Sequence, residues 1–209
     1  MCDILVEKPV TECNDKKGAE VAAYLEERDI TCMNVMGSPG AGKTTLIENL
    51  APLLGKVAVI QGDLESDVDK KRLEEQGIDT YQINTHSGCH LNAEMVSHAI
   101  SHMDLTGVRY LFIENVGNLV CPAGVYLGQH MDIVVSSTTE GSDKPRKYPI
   151  IFQNASLVVI SKINLAEAVG FDEEAYRKDI SGINPKAKVF TFDRDGSEIA
   201  GFLKSKGIV

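Results

Sequence analysis

The chain has 209 residues, 43% of them hydrophobic, which suits one well-packed domain with an appended segment and leaves too little for two separate domains. A net charge of -9, from 21 basic and 30 acidic residues, argues against a surface for nucleic acid or anionic membrane and towards a small molecule or another protein as partner. The start, Met1 to Pro9, lacks the apolar core of a signal peptide and no later apolar run is long enough to span a bilayer, so the cytosol is expected, with the five cysteines read as reduced thiols.

Residues 1–18 are polar and irregular, and Asp15 to Arg28 has the charge mixture of a surface helix with Val21, Tyr24 and Leu25 as its apolar stripe. Residues 1–30 are therefore expected to form an N-terminal arm and helix, and residues 31–209 the main domain. Apolar runs at 31–36, 57–61, 79–84, 108–113, 131–137, 157–161 and 187–191 read as strands separated by helical patterns. That alternation predicts a three-layer α/β/α domain with a mainly parallel sheet of about seven strands. The least regular stretches, 117–130 and 138–150, are candidate functional loops.

The sharpest motif is Gly37-Ser38-Pro39-Gly40-Ala41-Gly42-Lys43-Thr44, followed by Thr45. It follows the strand pattern Thr31 to Met36 and opens a helical pattern, Lys43 to Leu54, with Leu46, Ile47, Leu50 and Leu53 on one face. In that context the glycines let backbone N–H groups surround phosphate oxygens, and the helix N-terminus adds positive potential. Lys43 is expected to reach the β- and γ-phosphates, and Thr44 to place its hydroxyl on Mg²⁺. The fold class is thus a P-loop NTPase, and GTPase is the expected activity.

A bound Mg²⁺ needs carboxylate help from a neighbouring strand end. The run Val108 to Ile113 ends in Glu114, and Gly117 follows three residues later, where its N–H would contact the γ-phosphate. Asp63, after the strand Lys56 to Gln61, is a second candidate, for Mg²⁺ or the attacking water; either carboxylate also reads as a solvated strand end.

Ser161-Lys162-Ile163-Asn164 sits where GTPases carry Asn-Lys-x-Asp, whose carboxylate reads guanine. An amide at the fourth position offers one acceptor and one donor, so it pairs with only half of the guanine edge. Lys162 keeps its place to lie along the base, while an ordinary strand-to-helix turn capped by Asn164 is the competing reading.

Cys89-His90 opens the helical pattern His90 to Met103, and Cys121 follows Glu114 by seven residues. Two thiolates and an imidazole suit Zn²⁺ or Ni²⁺, with room for a further ligand, although packed core residues explain the same side chains. His90, Glu94, His98 and His102 recur at i, i+4 steps, which reads either as a metal-capable stripe or as a solvated polar face.

Taken in order, the Gly37–Thr44 loop, Gln61-Gly62-Asp63-Leu64, Gly88-Cys89-His90-Leu91, Phe112-Ile113-Glu114-Asn115-Val116-Gly117-Asn118-Leu119-Val120-Cys121-Pro122 and Thr139 to Pro149 closely resemble the HypB family, GTPases that assist nickel insertion into nickel–iron hydrogenase. The resemblance runs from about residue 20 to 170. It implies a GTP-dependent metallochaperone using Mg²⁺, with Cys89, His90 and Cys121 binding zinc or nickel at the interface of a GTP-promoted homodimer, so that nucleotide state gates the metal site. It also implies a HypA-type nickel-delivery partner and the hydrogenase large subunit as target, with no nucleic acid and no membrane involved. Lys144 and Lys147, in the Pro-bracketed segment Asp143 to Pro149, resemble the family's dimer-contacting loop, and Lys147 is placed among the nucleotide-binding residues; solvated surface lysines are the alternative. Residues 1–30 hold no histidine and only Cys2 and Cys13, unlike family members with nickel-storing N-termini. The Ser161–Asn164 motif and Thr191 to Gly196 also depart from the family's base-reading loops. The alternatives carried are an accessory GTPase of another nickel enzyme, of the urease type, a P-loop small-molecule kinase, and a non-hydrolytic scaffold that uses nucleotide only to dimerise.

Overall fold

The computed structural model describes residues 10–63, 68–86 and 88–207, so the irregular reading of the first nine residues, Cys2 and Leu64 lie outside the described residues. Helix α1 (Val10–Glu26) leads into β1 (Thr31–Gly37), α2 (Lys43–Leu54), β2 (Val57–Asp63), α3 (Val68–Glu75), β3 (Asp79–Asn84), α4 (Ala93–Ser101), β4 (Tyr110–Glu114) and β5 (Met131–Ser137). The short helices α5 (Lys144–Lys147) and α6 (Pro149–Gln153) precede β6 (Leu157–Ser161), α7 (Glu173–Ile183), β7 (Lys188–Phe192) and α8 (Ser197–Lys206).

The seven strands form one parallel sheet in the order β3-β2-β4-β1-β5-β6-β7. Its central strands are apolar on both faces, as a sheet covered by helices on each side requires. On one face Val35, Val59, Phe112, Ile133 and Val159 pack with Leu46, Ile47 and Leu50 of α2 and Leu203 of α8. On the other, Ala58, Ile60, Leu111 and Ile113 meet Val21 and Leu25 of α1 and Val96 and Ala99 of α4, while Val134, Val158 and Ile160 meet Phe152, Tyr176 and Ile180. Truncating a fully buried side chain such as Leu50 to Ala removes about 2–5 kcal/mol of stability through lost burial and the void left behind.

Four local expectations are corrected. Helix α1 starts at Val10 rather than Asp15, and it buries Val21 and Leu25, whereas Tyr24 stays at the surface under the Arg28 guanidinium, 3.6 Å above its ring. The helix expected from His90 starts at Ala93, because Asn92 caps it by accepting from the Met95 amide at 2.9 Å; His90 is therefore in the preceding loop, and the stripe on the helix reduces to Glu94 and His98, with His102 at its C-cap. The stretch 138–150 is mostly helical, opened by a capping box between Ser137 and Glu140 and continued by α5 and α6. Strand β4 begins at Tyr110, two residues after the expected start.

Candidate nucleotide and metal site

The strand order places β1 between β4 and β5, so the loop after β1 lies at the carboxyl edge of the sheet beside the end of β4, where open α/β sheets bind ligands. Register does the rest. Val35 of β1 pairs with Glu114, and Gln61 of β2 pairs with Glu114 from the other side. Glu114 is thereby held between the phosphate loop and the end of β2.

The loop itself is shaped for an anion. Gly40 has φ +70° with open space where a Cβ would stand, and Gly42, at φ +97°, precedes α2 with no side chain capping the helix. The first amides of α2 are left to face the cleft. Lys43 is buried and folds back onto the carbonyls of Gly37 (3.3 Å) and Ser38 (3.2 Å). Burial lowers its pKa, while the nearby Glu114 charge acts in the opposite sense. Thr44 Oγ1 donates to Glu114 Oε1 at 2.7 Å, and Gln61 Nε2 to Glu114 Oε2 at 3.3 Å. Burial pushes the Glu114 carboxyl up to about 7, against the pull of the Lys43 charge.

Around these groups lies a cleft of about 410 Å³ that also takes in Asp63, Gly117 and Lys162. Gly117 packs so closely on Pro39 that a Cβ would sit 2.8 Å from its backbone nitrogen, so no larger residue fits. Lys162, at φ +54°, reaches over the loop to the Gly40 carbonyl at 2.8 Å. Pro39, Gly40, Gly42, Lys43, Thr44, Thr45, Asp63, Glu114, Gly117 and Lys162 thus share one cleft. Gly37, Ser38 and Ala41 belong to the same loop without lining it. Asn164 is exposed in the turn Ile163–Leu165, and Lys147 is ion-paired with Asp143 at 2.6 Å; neither lines the cleft.

Several residues at this edge had been given no role from sequence. Asp69 and Arg72 of α3 line the cleft, with Arg72 tied to Glu48 at 2.7 Å and to Asp69 at 2.9 Å. Glu140 accepts from Ser38 Oγ at 2.6 Å and faces Lys144 at 3.4 Å, joining the 138–150 segment to the phosphate loop. The Ser137-to-Glu140 spacing was the available signal for this link; nothing in the sequence separates Arg72 from an ordinary surface arginine.

Cys89, His90 and Cys121 come together beside this cleft with one ligand atom from each within 4.8 Å of the others, all three partly accessible. Cys89 Sγ lies 3.5 Å from His90 Nδ1, and hydrogen bonding to the Cys89 thiol raises the Cys121 pKa above its ordinary value. Two asparagines from the segment after β4 set this arrangement. Asn115 Oδ1 accepts from the Leu91 amide at 3.1 Å and its Nδ2 donates to Asn34 Oδ1 at 3.1 Å, which fixes the 89–91 loop against β1. Asn118 Oδ1 accepts from the Cys121 amide at 3.0 Å, while its own amide donates to the Gly37 carbonyl at 3.1 Å.

The residues fit Mg²⁺ and a nucleoside triphosphate. Hydroxyl and carboxylate ligands are already adjacent, the carboxyl is desolvated, and buried Gln61 Oε1 has no hydrogen-bond partner among the described residues. A parallel α/β sheet with this strand, glycine loop and helix defines a P-loop nucleotide-binding domain, here with a cysteine–histidine cluster at its edge.

The CobW/HypB/UreG nucleotide-binding domain family matches residues 31–191. Among curated proteins, a probable hydrogenase maturation factor HypB from Methanocaldococcus jannaschii is 42% identical over 187 residues, covering 88% of this chain and 85% of that protein. The hydrogenase maturation factor HypB of Azotobacter vinelandii is 40% identical over 199 residues, or 94% of this chain; the chain spans 66% of that protein's length. The crystal structure of HypB from Helicobacter pylori in complex with nickel superposes with a TM-score of 0.89 at 38% identity, covering 93% of this chain and 94% of that one. The chain belongs to the CobW/HypB/UreG nucleotide-binding family and, within it, to the HypB hydrogenase maturation factors.

Proposed function

We propose that this chain is a cytosolic, GTP-hydrolysing metallochaperone that assists nickel insertion into nickel–iron hydrogenase, with nickel as cargo at Cys89, His90 and Cys121. Nucleotide state is proposed to gate this metal cluster, and the observation that carries the reading is the shared segment 114–121. Its first residue is the carboxylate beside Thr44, and its last is a cysteine of the metal cluster. The nickel complex of the Helicobacter relative and the hydrogenase maturation role in the relatives' names support the cargo and the process.

In this reading the loop amides and Lys43 bind the β- and γ-phosphates. Thr44 and Glu114 would hold Mg²⁺, which supplies charge neutralisation at the phosphates when bound. Gly117 lets the chain after β4 approach the γ-phosphate. Asp63, which lines the cleft, is assigned to orienting the attacking water or to the outer sphere of the ion. Lys162 and Asn164 flank the base. Zinc is a second ion suited to the thiol and imidazole ligands. GTP-promoted homodimerisation, with Lys147 moved from Asp143 towards a partner's nucleotide, a HypA-type donor and the hydrogenase large subunit complete the proposal.

The test is complementation. A host lacking its own HypB should regain nickel-loaded, active hydrogenase with the wild-type chain, and lose it with Lys43→Ala or Cys121→Ala although each variant accumulates to normal levels. Full hydrogenase activity with both variants would overturn the assignment.

A further inference from the structure

We propose that His98 and His102 form a second divalent-metal site, a two-imidazole chelate for a borderline ion such as Ni²⁺ or Zn²⁺, separate from the Cys89–His90–Cys121 cluster. The two residues are exposed and one helical turn apart at the end of α4, with ring centroids 4.4 Å apart. Imidazole is a preferred ligand for both ions, and residues at i, i+4 present their side chains side by side.

The ring of His102 is oriented by its own helix. Its Nδ1 lies 2.8 Å from the His98 carbonyl and 3.0 Å from Ser101 Oγ, whose hydroxyl is itself donated to that carbonyl; since the carbonyl can only accept, the contact is made by the Nδ1–H tautomer, which leaves Nε2 to face an ion. This contact also closes the C-terminal end of α4, but capping uses one ring nitrogen and leaves the other. A metal-binding histidine characteristically donates its second nitrogen to a carbonyl in this way, which fixes both tautomer and ring plane. Among the described residues, neither ring nitrogen of His98 nor His102 Nε2 has a hydrogen-bond partner. Tyr81 of β3 braces both rings, with centroids 6.5 Å from His98 and 5.9 Å from His102, and reduces the ordering needed to bind an ion.

Two clefts on this face share Asn92 and Glu94, one reaching His98 and Tyr81, the other reaching His90 and Cys13. The exposed Glu94 carboxylate, 3.6 Å from Lys17 Nζ, stands between the two histidine positions. Two protein ligands leave most coordination positions to water, so the His98–His102 site is expected to be weaker and faster to exchange than the cysteine cluster.

The test is calorimetric titration of the full chain with Ni²⁺ and with Zn²⁺, beside His98→Ala/His102→Ala and Cys89→Ser/Cys121→Ser. The histidine variant should lose the weaker binding event, one equivalent per chain, and keep the tighter event together with wild-type nucleotide affinity. The cysteine variant should lose the tighter event and keep the weaker one. In the wild-type chain, Zn²⁺ should also shift the Nε2 resonance of His102 and a ring-nitrogen resonance of His98 at the weaker equivalent. Unchanged stoichiometry in the histidine variant, or unmoved His98 and His102 signals in the wild type, would overturn the proposal without touching the Cys89–His90–Cys121 assignment.

Discussion

Gly37 and Asn118 face each other as an isolated antiparallel bridge: the Asn118 amide donates to the Gly37 carbonyl at 3.1 Å, and the Asn118 side chain accepts from the Cys121 amide at 3.0 Å. The first residue of the phosphate loop is therefore two hydrogen bonds from a cysteine of the metal cluster. Asn118→Ala removes the contacts to the Val120 and Cys121 amides, each worth about 1 kcal/mol net, while leaving the backbone bond to Gly37 in place. The expected outcome is weaker metal binding with little change in nucleotide affinity. Titrations of metal and nucleotide on the same variant check it, and metal affinity equal to wild type would show that Asn118 does not position Cys121.

Lys43 and Glu114 are expected to fail differently. Lys43→Ala removes the buried positive charge from the phosphate cradle and should abolish nucleotide binding. Glu114→Ala should leave weak binding but little hydrolysis, because the carboxylate organises Mg²⁺ rather than the phosphates. Binding by fluorescent-nucleotide titration and turnover by phosphate release separate the two, and near-wild-type turnover in both variants would refute the roles.

The Glu114 carboxyl sets a pH dependence. Burial holds its pKa at about 7, above an ordinary 4.5, so Mg²⁺ must compete with a proton below neutrality. Affinity for Mg²⁺ with nucleotide should fall by roughly tenfold per pH unit below that value and level off above it. The sign for stability without ligand is opposite. The folded chain keeps this proton where the unfolded chain has lost it, so the stabilisation is complete below 4.5 and is lost as pH rises through about 7. Melting of the ligand-free chain across this range should show that decline in the wild type and not in Glu114→Gln.

Asn164 is exposed in the turn after β6, next to Lys162, which spans to the Gly40 carbonyl. Its amide can donate to a carbonyl at the purine 2-position, so XTP should compete well against GTP, and Asn164→Asp should sharpen the preference for GTP. An unchanged ratio of GTP to XTP affinity in that variant would remove Asn164 from base recognition.

The strands and the phosphate loop were legible because each rests on a local pattern: an apolar run bounded by turn residues, or glycines at fixed spacing before a helix. Glu114 was legible as a strand end, but its contacts with Thr44 and Gln61 depend on sheet order and register, which no local pattern carries. The cysteine cluster was suggested by residue type and sharpened by family resemblance. Its assembly needs Asn115 and Asn118, polar residues whose partners lie far away in sequence or on the backbone. Two misplacements had readable signals: Asn92 as the cap of α4, which the apolar periodicity from Leu91 masked, and the Ser137–Glu140 capping box in a stretch read as irregular.

The central claim, that nucleotide state gates the metal cluster, is tested most directly by titrating Ni²⁺ and Zn²⁺ into the chain loaded with a non-hydrolysable GTP analogue and, separately, with GDP. A coupling of about 1–3 kcal/mol predicts metal affinities that differ by roughly 5- to 150-fold between the two states, with bound metal changing the GTP-to-GDP preference by the same factor. The difference should vanish in Cys121→Ala. Equal metal affinities in both nucleotide states of the wild-type chain would contradict the account.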